Sequence, residues 1–248
     1  QFDQRHNHTL RLEIARAIVL GKLQNSRHLL LRLNRKRQDP DVAQAIQAMQ
    51  QDLAAVSDPH QAPSQEALMG YEGIAASRYF TALGKLITNP GFCFTHRNRR
   101  PPKDPVNALL SFGYSLLFNN VFSLLLAAGL HPYLGNLHGS DRREAFLAFD
   151  LMEEFRSPIV DTLVITLINK TILKPTDFTW PDANGGVYLN EPARRVFLRY
   201  FEDRISLKIS HPDVQSLVSY RQVIQLQIQR YRQCLLNGSA YVPFRRTD

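Results

Sequence analysis

One carboxylate of the sequence stands on a helical face that is otherwise apolar. If each residue advances a helix by about 100°, Glu72 lies about 20–60° around the wheel from Leu68, Ala75 and Tyr79. An ionised carboxylate in apolar surroundings costs several kcal/mol unless it is paired or bound to a cation. Glu72 is therefore expected to form a salt bridge with an arginine of another helix, to be protonated or to bind a cation.

A second pair of acidic residues shares one helical face. Asp150 and Glu153 are three residues apart, beside an apolar stripe that contains Leu151, and like charges at this spacing repel each other. Six of the 22 acidic residues fall within 141–161, although the chain as a whole is basic. The simpler alternative is a solvated helix face, which any Asp-x-x-Glu pattern allows.

His138 adds an imidazole to these carboxylates. Alone, a histidine beside a glycine in a loop is an ordinary polar surface residue. Together, Glu72, His138 and Glu153, with Asp150 nearby, offer the oxygen and nitrogen ligands that suit Mg²⁺ or Mn²⁺ better than zinc or an iron–sulfur cluster. Such a metal would offset the carboxylate repulsion and polarise a phosphodiester. The hypothesis requires the three side-chain tips to lie within about 5 Å of a common point.

The net charge of +8 and the pI of about 9.7 favour a polyanionic partner, with nucleic acid ahead of an anionic membrane. Arg97, Arg99 and Arg100 stand in a loop over 91–103 that contains no acidic residue before Asp104. They are the candidate DNA-binding residues, although an ordinary solvated loop would have the same composition.

Cys93 and Cys234 stand far apart in the sequence, which excludes a zinc finger, argues against a disulfide framework and favours a reducing cytosol.

Helical periodicity and cap residues dominate the chain, so the predicted fold class is mostly α. The segment near 178–189 is the only strand-like region and is expected to form at most a short β-hairpin. No glycine-rich phosphate loop or Gly-x-Ser-x-Gly motif occurs. The predicted helices cover 10–37, 40–56, 64–89, 105–129, a stretch from Ser140-Asp141 past Pro158 to about Ile172, 190–209 and 212–237.

The apolar stretch over 106–130 is long enough to span a bilayer. Asn107, Ser111, Asn119, Asn120 and Ser123 interrupt it, and such groups are costly to bury in lipid. The stretch is better interpreted as the central helix of a globular core, and no membrane partner is expected.

The order of the candidate residues resembles one known family. Four blocks carry the likeness, with the entry segment Ala17–Asn25 and the terminal Tyr241-Val-Pro-Phe244, so that the match covers nearly the whole chain. They are similar to the Cas1 family of CRISPR-associated integrases. The four blocks are Gly70-Tyr-Glu72-Gly-Ile-Ala-Ala-Ser-Arg78-Tyr-Phe80, Pro101-Pro-Lys-Asp104-Pro-Val-Asn107-Ala-Leu-Leu-Ser-Phe-Gly-Tyr114, His131-Pro-Tyr-Leu-Gly-Asn-Leu-His138 and Asp150-Leu-Met-Glu-Glu-Phe-Arg156.

The resemblance implies a metal-dependent DNA endonuclease and integrase that inserts short foreign DNA at a CRISPR repeat. Glu72, His138 and Glu153 match the positions of the family's metal ligands, and Asp150 matches its neighbouring functional acid. Glu153 replaces the aspartate of many members, so its longer side chain would alter the distance to the metal. The adjacent Glu154 is a competing candidate for this position, but it lies one residue beyond the three-residue spacing from Asp150.

The resemblance also implies partners. These are double-stranded prespacer DNA with 3′ ends, CRISPR repeat DNA, a second copy of the chain and the small protein Cas2, in a prokaryotic cytoplasm. Residues 1–248 are expected to form a single helical, C-terminal catalytic domain of a longer protein whose N-terminal β-rich dimerisation domain is not included. A metal-dependent DNA nuclease without integration, and a non-catalytic helical DNA-binding subunit, are the alternatives.

Overall fold

The computed structural model describes residues 1, 7–138, 144–180 and 185–246. Within these ranges the secondary structure is mainly helical, with two small two-stranded antiparallel sheets, which confirms the mostly α fold class. The helices are α1 (His8–Arg37), α2 (Pro40–Ser57), α3 (Gln65–Lys85), α4 (Pro105–Ala127), α5 (Phe146–Phe155), α6 (Thr162–Asn169), α7 (Glu191–Ile205) and α8 (Tyr220–Asn237). The strands are β1 (Phe178–Thr179), β2 (Tyr188–Leu189), β3 (Lys208–His211) and β4 (Val214–Ser219).

Side-chain caps fix the starts of several helices. The Asp39 side chain accepts a hydrogen bond from the backbone N–H of Val42 at 3.0 Å, and the Asp104 side chain accepts one from the backbone N–H of Asn107 at 2.8 Å. In both cases proline follows the cap at the first helical position, where its missing N–H costs no hydrogen bond. Asn190 accepts a hydrogen bond from the Ala193 N–H at 3.0 Å and so caps α7, with Pro192 at the second helical position. The predicted starts of α2, α4 and α7 are therefore confirmed.

Helix α4 lies in the core, as predicted. Leu109, Leu117, Val121 and Leu125 are fully buried. Within the described residues α4 is also the one helix long and apolar enough to cross a membrane, with a mean hydropathy of 1.6 over an 18-residue window of which 33% is buried. The core helix of a globular protein can have the same length and hydropathy, since burial in protein and burial in lipid favour the same apolar side chains.

The predicted arrangement between α7 and α8 is wrong. A second hairpin, β3–β4, occupies 208–219, and the last helix begins at Tyr220 instead of Pro212. Ile209 pairs with Val218, and Ser219 forms a capping box with Gln222. The Pro212-Asp213 pair makes the hairpin turn, because the residues that start a helix also favour tight turns.

The long helix predicted from Ser140-Asp141 is also interrupted. Residues 139–143 lie outside the described ranges, and α5 begins at Phe146. A π-helical turn, Arg156–Asp161, separates α5 from α6. Pro158 lies in that turn, and because proline has no N–H it removes one bond of the α-helical ladder.

The C-terminal segment is anchored on a buried carboxyl of α5. Glu154 accepts hydrogen bonds from the Phe244 N–H at 2.6 Å and from Gln227 Nε2 at 3.0 Å, and Tyr241 donates to its other oxygen. Burial raises the pKa of Glu154 to about 7 against the effect of these hydrogen bonds. Gly21 of α1 allows the C-terminal segment to pack closely against the helix, since a Cβ at residue 21 would lie 2.7 Å from the Cβ of Pro243.

Replacement of this carboxyl should destabilise the protein through the tail. Glu154→Ala leaves the Tyr241 hydroxyl and the Phe244 N–H buried without their acceptor and takes one of three acceptors from Gln227 Nε2. We expect it to lower the free energy of unfolding by about 2–4 kcal/mol. Tyr241→Phe removes one of the same hydrogen bonds and should cost about 1 kcal/mol. Urea unfolding measures both values, and equal losses in the two variants would refute the anchoring role of Glu154.

Candidate functional site

Two of the predicted acidic residues meet across three helices. Glu72 of α3 and Glu153 of α5 both contact the ammonium group of Lys22, which comes from α1. The Lys22 Nζ to Glu153 Oε2 distance is 2.6 Å, and Glu72 Oε1 contacts the same nitrogen. Because both oxygens contact the same ammonium, they lie within about 6 Å of each other. We call Lys22, Glu72, Glu153 and Arg156 the charge cluster.

Arg156 completes the charge cluster from the start of the π-helical turn. Its Nη2 lies 3.0 Å from Glu153 Oε1, and its guanidinium lies 4.9 Å from the ring centroid of Tyr114. Glu153 is 3% exposed, Lys22 14% and Glu72 24%. Glu153 thus lies beneath Lys22, and Glu72 is the more accessible carboxylate.

The electrostatics of Glu153 follow from its two cations. Burial alone would raise the pKa of Glu153, but the charges of Arg156 and Lys22 outweigh it and lower that pKa to about 2. Burial alone would lower the pKa of Lys22, but the charges of Glu153 and Glu72 outweigh that effect and raise it. Both groups are therefore charged at neutral pH. Glu153 Oε2 is paired with the Lys22 ammonium, and Glu153 Oε1 with Arg156.

His138 is held by Asp150. The Nδ1 atom of His138 lies 2.6 Å from Asp150 Oδ1, and Asp150 also accepts from the backbone N–H groups of Leu137 at 3.0 Å and His138 at 3.3 Å. Burial would lower the pKa of His138, but the hydrogen bond and charge of Asp150 raise it overall. Asp150 is completely buried, so it positions the imidazole and the loop around it.

The solvated-face alternative for this acidic segment is wrong. Asp150, Glu153, Glu154 and Asp161 are all buried. Each has specific partners, and Asp161 accepts from the hydroxyls of Tyr79 and Tyr114 at 2.6 Å each. Buried carboxylates require such partners.

The structure brings the predicted metal ligands together only in part. Glu72 and Glu153 meet at Lys22, whereas no hydrogen bond or ion pair joins His138 to either of them among the described residues. His138 is close enough for its charge to lower the pKa of Glu153. In the ranges that the structure describes, no group of three His, Cys, Asp or Glu side chains surrounds a common point as ligands of a metal would. The three-ligand site therefore stays a prediction.

The donor set nevertheless fits a hard divalent cation. Two carboxylates converge on a position that a cation, the Lys22 ammonium, already fills. The His138 Nδ1 is held by a carboxylate, the arrangement that leaves Nε2 of a histidine as a metal ligand and increases its basicity. Carboxylate and imidazole ligands suit Mg²⁺ and Mn²⁺.

An open groove of about 710 Å³ runs from the charge cluster to the arginine loop. Its lining is strongly basic, with Glu72 as the one acidic residue among those described. The basic lining residues are Lys22, His96, Arg97, Arg99, Arg100 and Arg156.

The three arginines of the loop differ from one another. Arg97 is half-buried and donates to Asn107 Oδ1 at 2.7 Å and to Ser111 Oγ at 2.9 Å, so its guanidinium ties the loop to α4. Arg99 and Arg100 are exposed and form no hydrogen bond or ion pair with a described residue. Their side chains can therefore contact a ligand in the groove, whereas Arg97 would first have to release its partners.

Comparison with known proteins gives a consistent result. The family model described as "CRISPR associated protein Cas1" matches residues 1–203. A CRISPR-associated endonuclease Cas1 of Thermus thermophilus is 39% identical over 237 residues, which are 94% of this chain and 69% of that protein. Another from Leptospira interrogans is 36% identical and covers 98% of this chain and 97% of its own length. A chain of a partial Cas6-RT-Cas1–Cas2 complex is 28% identical, with a TM-score of 0.87 over 100% of this chain and 72% of that chain.

Proposed function

Because the chain belongs to the Cas1 family of CRISPR-associated proteins, we propose that it is a divalent-metal-dependent DNA endonuclease and integrase. It joins the 3′-hydroxyl ends of short foreign DNA to a CRISPR repeat. The observation that carries this proposal is the pair of carboxylates, Glu72 and Glu153, held around one cation at the end of a basic groove.

The cofactor is Mg²⁺ or Mn²⁺, held by Glu72, Glu153 and His138. When bound, it polarises the phosphodiester and stabilises charge on the attacking or leaving oxygen. Asp150 fixes the His138 imidazole and therefore acts as a positioning residue. Arg156 holds Glu153 from the opposite side and neutralises part of its charge.

The reaction is a direct transesterification. The 3′-hydroxyl of the incoming DNA loses its proton and forms a bond to the repeat phosphorus, while the bond to the old 3′-oxygen breaks and that oxygen takes up a proton. No enzyme nucleophile is needed. Tyr79 and Tyr114 are buried, donate to Asp161 and have pKa values raised by that burial and by the Asp161 charge, so neither is suited to attack a phosphate.

The partners follow from the same proposal. The protein acts as a homodimer with Cas2 on prespacer DNA and repeat DNA in a prokaryotic cytoplasm. The partial Cas6-RT-Cas1–Cas2 complex supports the Cas2 partner, since one of its chains has the same fold as this one. Residues 1–248 serve as the helical catalytic domain.

Arg99 and Arg100 should contribute most of the loop's affinity for DNA. If each contacts one phosphate, replacing both with glutamine should reduce the slope of log K against log salt by about two. Arg97→Gln should change this slope little, since its guanidinium is engaged with Asn107 and Ser111. Fluorescence anisotropy across a salt series measures the slope, and an unchanged slope in the double variant would assign the DNA contacts to other residues.

A strand-transfer assay tests the proposed reaction. The protein is combined with its Cas2 partner, Mn²⁺, repeat DNA and prespacers that end in either a 3′-hydroxyl or a dideoxy group. Joined product should form only with the 3′-hydroxyl ends. Joining with dideoxy ends would contradict direct attack by the 3′-hydroxyl. Cleavage without joining would favour the nuclease, and DNA binding without either reaction would favour the non-catalytic subunit.

A further inference from the structure

Lys22 occupies the place between the two carboxylates that the proposed metal would need. We propose that Lys22 is an internal counter-ion that holds Glu72 and Glu153 together in the metal-free protein and competes with the divalent cation for them. This inference rests on the proposed function, because it requires that the carboxylates bind a metal.

The position of Lys22 on α1 makes it a largely, but not completely, buried cation. Ile18 and Ser26, which lie four residues before and after it, are both buried, and Lys22 itself is 14% exposed. Its ammonium contacts Glu72 Oε1 and lies 2.6 Å from Glu153 Oε2. One side chain of α1 therefore links carboxylates from α3 and α5.

The charges of the cluster explain the competition. Glu72 and Glu153 carry two negative charges, and Lys22 and Arg156 carry two positive ones, so the metal-free cluster is neutral. A divalent cation added to it would leave two positive charges without partners in a largely buried place, which is costly. If the ammonium withdraws when the cation binds, one of these two charges leaves with it. The cation and the ammonium therefore exclude each other.

The groove offers the Lys22 ammonium an alternative position. Lys22 lines the groove that Arg99 and Arg100 also line. Its flexible four-carbon stem allows the charged end to turn into that groove without movement of α1. There it would add one more positive charge to the surface that faces DNA phosphates.

The test measures Mn²⁺ binding to the full chain by isothermal titration calorimetry, without DNA. Lys22→Met keeps much of the length of the side chain and removes its charge, so Mn²⁺ should bind about tenfold more tightly than to the unchanged protein. In the absence of metal the same variant should melt at a lower temperature, since the two carboxylates then repel each other. Lys85→Met is the matched control, because Lys85 pairs with Asp41 at the exposed end of α3. Its Mn²⁺ affinity should be unchanged.

Two further variants make the outcomes distinguishable. Lys22→Gln should show the same tighter binding if Lys22→Met does not fold, and Glu72→Gln should abolish binding in either background. Equal or weaker Mn²⁺ affinity in folded Lys22→Met or Lys22→Gln, with binding still lost in Glu72→Gln, would overturn the counter-ion role and leave the metal site standing. Absence of Mn²⁺ binding in every variant, or binding that survives Glu72→Gln, would overturn both proposals.

Discussion

Glu72→Gln should lower metal-dependent DNA cleavage and joining by about 1,000-fold without loss of the fold. The substitution keeps the size of the side chain and removes the charge that a cation needs, and loss of a group that stabilises the reacting phosphate typically has an effect of this order. The fold should survive because Lys22 keeps Glu153 as its partner. Single-turnover rates in Mn²⁺ measure the effect.

Glu66→Gln is the matched control for this prediction. Glu66 lies on the same helix, six residues before Glu72, and is exposed. Its replacement should leave the rates unchanged. If Glu72→Gln retains full activity while Glu66→Gln does the same, the reaction centre lies elsewhere in the chain.

Glu153→Ala should have the largest effect on stability, a loss of about 3–5 kcal/mol in the free energy of unfolding without metal. Arg156 would remain largely buried without a carboxylate partner, and Lys22 would keep only Glu72; an uncompensated buried charge is costly. Glu202→Ala is the control, since its ion pair with Arg221 is exposed and should contribute at most about 1 kcal/mol.

The pH dependence of this effect has a definite sign. The pKa of Glu153 is lowered from 4.5 to about 2, so its stabilising contribution is complete above about pH 4.5 and is lost as the pH falls through 2. The difference between the unchanged protein and Glu153→Ala should therefore shrink in acid. Urea unfolding in EDTA at a series of pH values measures it. A difference below about 1 kcal/mol at pH 7 would contradict the charge cluster.

The helical phase of Glu72 was enough to predict a partnered carboxylate, because an acid on an apolar face has few alternatives. The same argument applies to Lys22, which lies on the buried stripe of α1 between Ile18 and Ser26. The sequence did not single out Lys22, since a long aliphatic stem commonly lets a lysine on an apolar face reach water. Arg156 was detectable in principle, as it stands three residues after Glu153.

Other features could not be predicted because they depend on tertiary contacts. The pairing of His138 with Asp150 requires the loop backbone to bring its N–H groups to the same carboxylate. Arg97 could not be distinguished from Arg99 and Arg100 by composition, and only the packing of the loop on α4 gives it partners. The β3–β4 hairpin was missed for a local reason, since its turn residues also favour a helix start.

The most direct test of a metal site at the charge cluster is anomalous diffraction from crystals grown with Mn²⁺. One peak should lie about 2.0–2.3 Å from oxygens of Glu72 and Glu153 and from a nitrogen of His138. The Lys22 ammonium should have turned away from both carboxylates into the groove. An ordered structure in saturating Mn²⁺ with Lys22 still between the carboxylates and no peak beside them would contradict the proposed centre.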